Sequence, residues 1–185
     1  MRSDGQVSTQ PDEMAFVPLG PEHYDLMRSW LAAPHMRDWW GDPDEEFGYI
    51  RDMVEGRDST RPFIIALDGR PVGLIECWFI GHHQNETWIV DHAWLAELPA
   101  DAVGVDLSIG EAELLSQGIG SMALAAFVRG LHAQGYRTII IDPDPANTRA
   151  VRACYKAGFR PVPSLQGRTG ATLIMQFDPN ANEAP

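Results

Sequence analysis

A chain of 185 residues, 44% of them hydrophobic, has the length of one domain and enough apolar side chains for a full core. Its net charge of -12 and pI near 4.7 exclude a basic nucleic-acid-binding face and suit a cationic partner, although acidity also serves solubility alone. No apolar run is long enough to span a bilayer, and the first residues lack the apolar core of a secretory signal, so the expected location is the cytoplasm, without a membrane partner.

Residues 1–13 read as a disordered lead, 14–178 as one domain and 179–185 as a flexible tail. The domain opens with a short strand at 14–20, ended by Gly20-Pro21. Residues 21–36 space Leu26, Trp30 and Leu31 as a helix does, with Pro21 near its start. Residues 38–43 read as a break carrying two exposed tryptophans, and 42–56 as a second helix with acids in its first turn. Residues 61–80 form a hairpin pattern, two β-rich runs joined by Asp68-Gly69-Arg70-Pro71. A poorly alternating stretch at 86–95 reads as a strand or a loop, and 102–110 as a strand. The pattern at 117–134 is helical, with an apolar stripe at 119, 122, 123, 126, 127, 130 and 131. Residues 136–143 make a continuous apolar strand of the kind covered on both faces. A helix follows at 147–159, capped by Asn147 and closed by Gly158, and strands at 159–165 and 170–177 complete the chain. This order predicts an α/β fold, a mixed sheet flanked by helices, with parallel strands around the helix that begins near 117. Cys77 and Cys154 stand far apart, without a CxxC or Cys/His ligand spacing, so disulfide and zinc are not expected and both read as small buried hydrophobes.

Four features carry chemistry. Gln117-Gly118-Ile119-Gly120-Ser121 joins a strand to a helix. Helix-mouth N–H groups without internal partners, reached past glycines, can hold an anion without a basic side chain; tight helix–strand packing is the plain alternative. Asp106 sits mid-strand, a costly place for a charge unless it faces a cleft. Asp142 ends a buried strand before Pro143, where open α/β sheets place ligands, or else caps the turn there. Asp91 is a further acid, and His82, His83 and His92 offer an alternative base of suitable pKa. Trp39 and Trp40, set among Asp38, Asp42, Asp44, Glu45 and Glu46, could stack on a sugar ring and attract ammonium groups.

Together the "GVDLS" strand, the Gly118/Gly120 turn and the "NTRAVRACYKAGF" helix resemble the GNAT superfamily of acetyl-coenzyme A-dependent N-acetyltransferases. "WWGD", "GVDLSI", "QGIG" and "IDPDPANTRAVRACYKAGF" resemble in particular the aminoglycoside 6′-N-acetyltransferases, over roughly 14–178; kasugamycin 2′-N-acetyltransferases and siderophore-type lysine N-acyltransferases are related branches. The resemblance implies a GNAT fold in which the backbone of 117–121 holds the pyrophosphate of acetyl-CoA. The family's Gln or Arg ahead of the glycines is Leu115 here, a departure that removes a side-chain contact. It further implies Asp106 as general base or amine-orienting group, with Asp91, Asp142, Trp39 and Trp40 lining the acceptor pocket. Tyr155 would be the acid that protonates the departing thiolate, Leu107 and its neighbours would supply main-chain donors to the oxyanion, and Asn147 would help hold coenzyme A. Arg149, Arg152 and Lys156 would be either a solvated stripe or contacts to its 3′-phosphate. The implied activity is acetylation of a cationic aminoglycoside in a ternary complex, without a metal, by a monomer or homodimer, conferring resistance. A lysine N-acyltransferase and a non-catalytic acetyl-CoA sensor are the alternatives.

Overall fold

Two consecutive residues with positive φ, Asp68 at 50° and Gly69 at 75°, close the central hairpin, the geometry that a two-residue turn between twisted strands demands. The computed structural model describes residues 13–181; the lead at 1–12 and the end of the tail at 182–185 lie outside the described residues. The hairpin strands are β2 (Arg61–Leu67) and β3 (Arg70–Phe79). They sit within a seven-stranded sheet with β1 (Met14–Pro18), β4 (Val103–Ile109), β5 (Ile139–Ile141), β6 (Phe159–Pro161) and β7 (Met175–Phe177). The spatial order is β1-β2-β3-β4-β5-β7-β6; β4 and β5 are parallel and every other pair is antiparallel. Helix α6 (Ile119–Ala133) makes the crossover between the parallel pair, as the strand–helix–strand pattern predicts.

The parallel pairing is short. Only Val103 and Gly104 of β4 face Ile139 and Ile140 of β5. Residues 105–109 of β4 therefore have no strand partner on that side, and the sheet opens there.

Three apolar clusters hold the layers together. Ile75, Cys77, Val103 and Val105 face α6, where they meet Ile119, Phe127 and Val128. Alternation along the strands sends Leu74 and Ile64 to the opposite face, under α1 (Tyr24–Leu31), α2 (Pro34–Trp40) and α3 (Pro43–Val54), with Met27, Trp30 and Ile50. Farther along that second face, Ile140 and Ile174 pack with Ile80, Trp94 and Leu95, and Trp78 lies against them. Gly104, the cross-strand partner of Trp78, makes room for the indole: a Cβ there would fall 2.0 Å from Trp78 Cε2.

Several sequence expectations are corrected. The helix expected over 21–36 ends at Leu31, and a new one starts at Pro34, because proline removes a donor and holds Ala33 extended. The break consequently falls at Ala32–Ala33, and both tryptophans of "DWWGDP" end α2. Residues 86–95 hold no strand: Asn85 Oδ1 accepts from the N–H groups of Thr87 and Trp88 and starts the short α5 (Glu86–Ile89), and a 3-10 turn covers Ala93–Glu97. The hairpin expected through residue 80 stops at Phe79, and "GHHQN" is no hairpin tip, since Ile80–His83 form the helical turn α4 anchored by buried Ile80. On α6 the buried set is Ile119, Ala123, Leu124, Ala125, Phe127, Val128 and Leu131, whereas Met122 of the expected stripe is half exposed. That helix is apolar nearly all round, so the sheet, and not the pattern, selects the inward face. The late strands are shorter than expected, and a 3-10 turn takes Pro163–Leu165. Cys77 and Cys154 are buried and unpaired, and burial pushes their thiols up to about 11 and about 12. Among the described residues no helix is long and apolar enough to cross a membrane.

Candidate active site

Where β4 and β5 part, a groove of about 320 Å³ runs between the free edge of β4, the start of α6 and one face of α7 (Thr148–Ala157). Its floor includes Leu107, Ser108 and Ile109; Leu115, Gly118, Gly120 and Ser121 form one wall. Gly118 is the N-cap of α6, in the left-handed region at φ 88°, and offers no side-chain cap. The first helical N–H to find an internal acceptor is that of Met122, bonded to Gly118 O, which leaves those of Ile119, Gly120 and Ser121 without intrahelical acceptors. No acid lies in this first turn. Ser121 Oγ donates to Gly118 O at 2.9 Å and fixes the bend. An anion such as a diphosphate fits these donors and the helix dipole. Opposite them, α7 turns Arg149, Arg152 and Lys156 to the same groove, so the basic stripe faces the cavity that an anionic ligand would fill. Asn147 also lines it while its Oδ1 caps α7, accepting from Ala150 N–H at 3.1 Å.

The acids gather beside the groove. On the face bearing the second and third apolar clusters, Glu76 stands between Leu74 and Trp78, directly across from Asp106, and Ser108 pairs across from Leu74. The two clusters are thereby separated by a polar slot. Glu46 on α3 and Asp142 after β5 lie within electrostatic reach of Asp106. Burial pushes Asp106 up to about 6, and the Trp78 indole N–H beside it, short of good hydrogen-bonding geometry, tempers the rise. Burial, then Glu45 and Asp106, push Glu46 up to about 7. Asp142 is raised well above the usual carboxylate range by burial and then by Asp106, and Glu76 likewise by burial and then by Asp106, Glu46 and Asp58. Such a slot attracts an organic cation and holds a base that is ionised near neutral pH. Asp58 also lines a second cleft of about 390 Å³ with His82, His83 and Trp88.

The structure brings together Asp106, Asp142, Leu107, Asn147 and the helix mouth. Trp39 and Trp40 line the groove; Trp39 is 43% exposed, whereas Trp40 packs partly against the second cluster. Ile119 buries its side chain in the core and offers only its N–H, and Gln117 turns its amide to Glu113 O. Asp91 is exposed in the turn after α5, outside the residues lining either cleft. Tyr155 lies apart from the groove lining. It is 41% exposed, and its ring centroid lies 5.7 Å from the Arg160 guanidinium carbon. The turn of α7 gives residues 152, 153 and 156 to the groove and residues 154 and 157 to the core, which leaves 155 outside. Of the histidines, His82 and His83 line the second cleft and His92 sits between Trp88 and Trp94, so none joins Asp106 in the slot. Glu76, Asp58 and His35, whose Nε2 lies 3.0 Å from Ile109 O at the groove, are the residues that sequence reasoning missed, and Glu46 was read only as one of the acids around the tryptophans. The signal that marked Asp106, a lone charge inside a β-rich run, was equally present at Glu76 in "GLIECWF".

Comparison with known proteins identifies the family of this fold. Residues 21–166 match the family described as "Acetyltransferase (GNAT) domain". An aminoglycoside N(6′)-acetyltransferase type 1 of Klebsiella pneumoniae is 28% identical over 178 residues, covering 91% of this chain and 85% of that protein. A lysine N-acyltransferase, MbtK, of Mycolicibacterium paratuberculosis is 26% identical over 144 residues, 74% of this chain and 60% of that protein. Among solved structures, AAC(6′)-Ib in complex with parmomycin and acetyl-CoA superposes with a TM-score of 0.76 at 25% identity, covering 93% of this chain and 97% of that one.

Proposed function

The chain belongs to the GNAT acetyltransferase family, and from that premise we propose that it acetylates an amino group of an aminoglycoside by direct attack within a ternary complex. It is an acetyl-CoA-dependent N-acetyltransferase. The observation that carries the acceptor assignment is the carboxylate slot: Asp106 lies inside it, and the next residue, Leu107, floors the groove. An acid slot next to an anion-binding groove suits the meeting of an ammonium group with an anionic donor.

Acetyl-CoA supplies the activated acetyl group. The N–H groups of residues 119–121 hold its diphosphate, and Arg149, Arg152 and Lys156 add positive charge along the groove. Asp106 accepts the proton that the acceptor ammonium must lose before its nitrogen can attack. Main-chain groups of β4 near Leu107, free of a β5 partner, are available to the oxyanion. Asp142, Trp39 and Trp40 shape the acceptor side. A thiol of ordinary pKa, about 8.5, is protonated by solvent near neutral pH, so the leaving group does not require Tyr155.

The 6′ amine is the favoured position, by likeness to the Klebsiella relative; the 2′ amine of kasugamycin is the other. Either product has lost one positive charge, which weakens binding to ribosomal RNA and gives resistance in the cytoplasm. The decisive assay follows coenzyme A release with kanamycin, tobramycin and kasugamycin separately, with the position of the new amide read by NMR. Turnover with none of them would remove the assignment. Preference for a lysine acceptor would instead support the lysine N-acyltransferase reading, by likeness to that relative.

A further inference from the structure

We propose that Glu76 is a specificity-determining residue of the acceptor site, its buried carboxyl taking one ammonium group of a polycationic acceptor while Asp106 faces the amine that reacts. The proposal rests on the amine-acceptor reading above.

Glu76 is 4% exposed and lies in the interior of β3, yet its Oε1 has no hydrogen-bond partner. A buried polar oxygen left unpaired costs stability, and an apolar residue between Ile75 and Cys77 would avoid that cost. The carboxyl is not there to pair with a neighbour. The charged groups that face it are Asp106 from β4, Glu46 from α3 and Asp58 from the segment before β2, and all are acids. Among the described residues no Arg, Lys or His forms an ion pair with any of these four. Burial and the three acids raise the Glu76 pKa and so favour its protonated form in the free protein.

An arriving cation changes that balance. An ammonium group beside Glu76 favours its carboxylate, so the Glu76 proton passes to solvent and an ammonium–carboxylate pair replaces the neutral acid. The acceptor keeps its charge at that nitrogen, and no bond to carbon changes. Among the described residues no group of three His, Cys, Asp or Glu side chains could hold a metal ion. An acceptor with a single ammonium engages Asp106 and gains nothing from Glu76, so the residue selects for two or more cationic nitrogens.

The test uses the full-length protein with bound coenzyme A. Calorimetric titration at pH 7 in buffers of different ionisation enthalpy counts the protons released on acceptor binding. Kanamycin, a polycation, should release roughly one proton more than glucosamine, a monocation. In Glu76→Gln that excess should shrink, the raised acids Glu46 and Asp142 still contributing, and the ratio of kcat/KM for kanamycin to that for glucosamine should fall about tenfold or more, the worth of a charge-assisted hydrogen bond. Circular dichroism and coenzyme A affinity establish that the variant is folded. If it does not fold, the wild-type comparison decides, since equal proton release by the two acceptors overturns the proposal without any variant. A specificity ratio that moves less than about threefold also overturns it. A protein that acetylates no amine overturns the acceptor reading together with Glu76; one that acetylates kanamycin but lacks these differences overturns the role of Glu76 alone.

Discussion

Replacing Asp106 by asparagine should make the protein more stable and nearly inactive, and the two effects should part with pH. Burial holds the Asp106 carboxyl at about 6 against an ordinary 3.8. At 1.36 kcal/mol per pH unit that rise corresponds to about 3 kcal/mol. Between 3.8 and about 6 the folded chain keeps a proton that the unfolded chain has released, so wild-type stability falls as pH rises through this window. A neutral amide at this position would carry no such liability. The variant should match the wild type near pH 3.5 and exceed it by about 3 kcal/mol at pH 8, roughly 6–12 °C in Tm for a chain of this length. Thermal unfolding at closely spaced pH values reads the difference, and coenzyme A release with an amine acceptor reads activity, which should drop by about 10² to 10⁴ with loss of the general base. A variant less stable at pH 8, or one whose stability difference does not change with pH, would refute the buried-carboxylate account. Undiminished turnover would remove Asp106 from the chemistry.

Other outcomes follow from the same geometry. The wild-type kcat/KM should climb with pH through about 6, as Asp106 ionises, and again near 7, as Glu46 becomes a carboxylate for the cation; Glu46→Gln should erase only the upper inflection. Gly118→Ala places a side chain at φ 88° and should cost about 1–2 kcal/mol while weakening coenzyme A binding; unchanged affinity by calorimetry would mean that the bend is not part of the cradle. Tyr155→Phe should keep activity within about threefold, because the phenol lies outside the groove, and a loss nearer a hundredfold would return it to the role of acid.

Much of this arrangement was written locally. Asn147 and Gly158 delimit α7, Asp68-Gly69 close the hairpin, and Gly118 bends the chain into α6, each through its own backbone chemistry. The chain order around 117 identified the parallel crossover, and a charge inside a strand pointed to Asp106. What stayed hidden depends on neighbours distant in sequence. Glu76 gains its meaning from the register that sets it opposite Asp106, and Glu46 from the packing of α3 over the sheet. Tyr155 falls outside the groove lining because adjacent residues on a helix differ by about 100°, so the groove, the core and the outside claim successive positions of α7. The residues 86–95 lacked periodicity altogether, and Asn85 as a cap was the one usable sign.

Because the polar slot lies between two apolar clusters that pack separately, the strand position proposed to meet an acceptor is not one of the apolar positions that hold the sheet together. Substitution at 76 keeps Leu74 and its companions on one side, and Ile140 and its companions on the other, as separate packed clusters. A lineage of such proteins can therefore drift from one amine to another by a few replacements in a single seam, with the donor-holding half of the molecule left untouched.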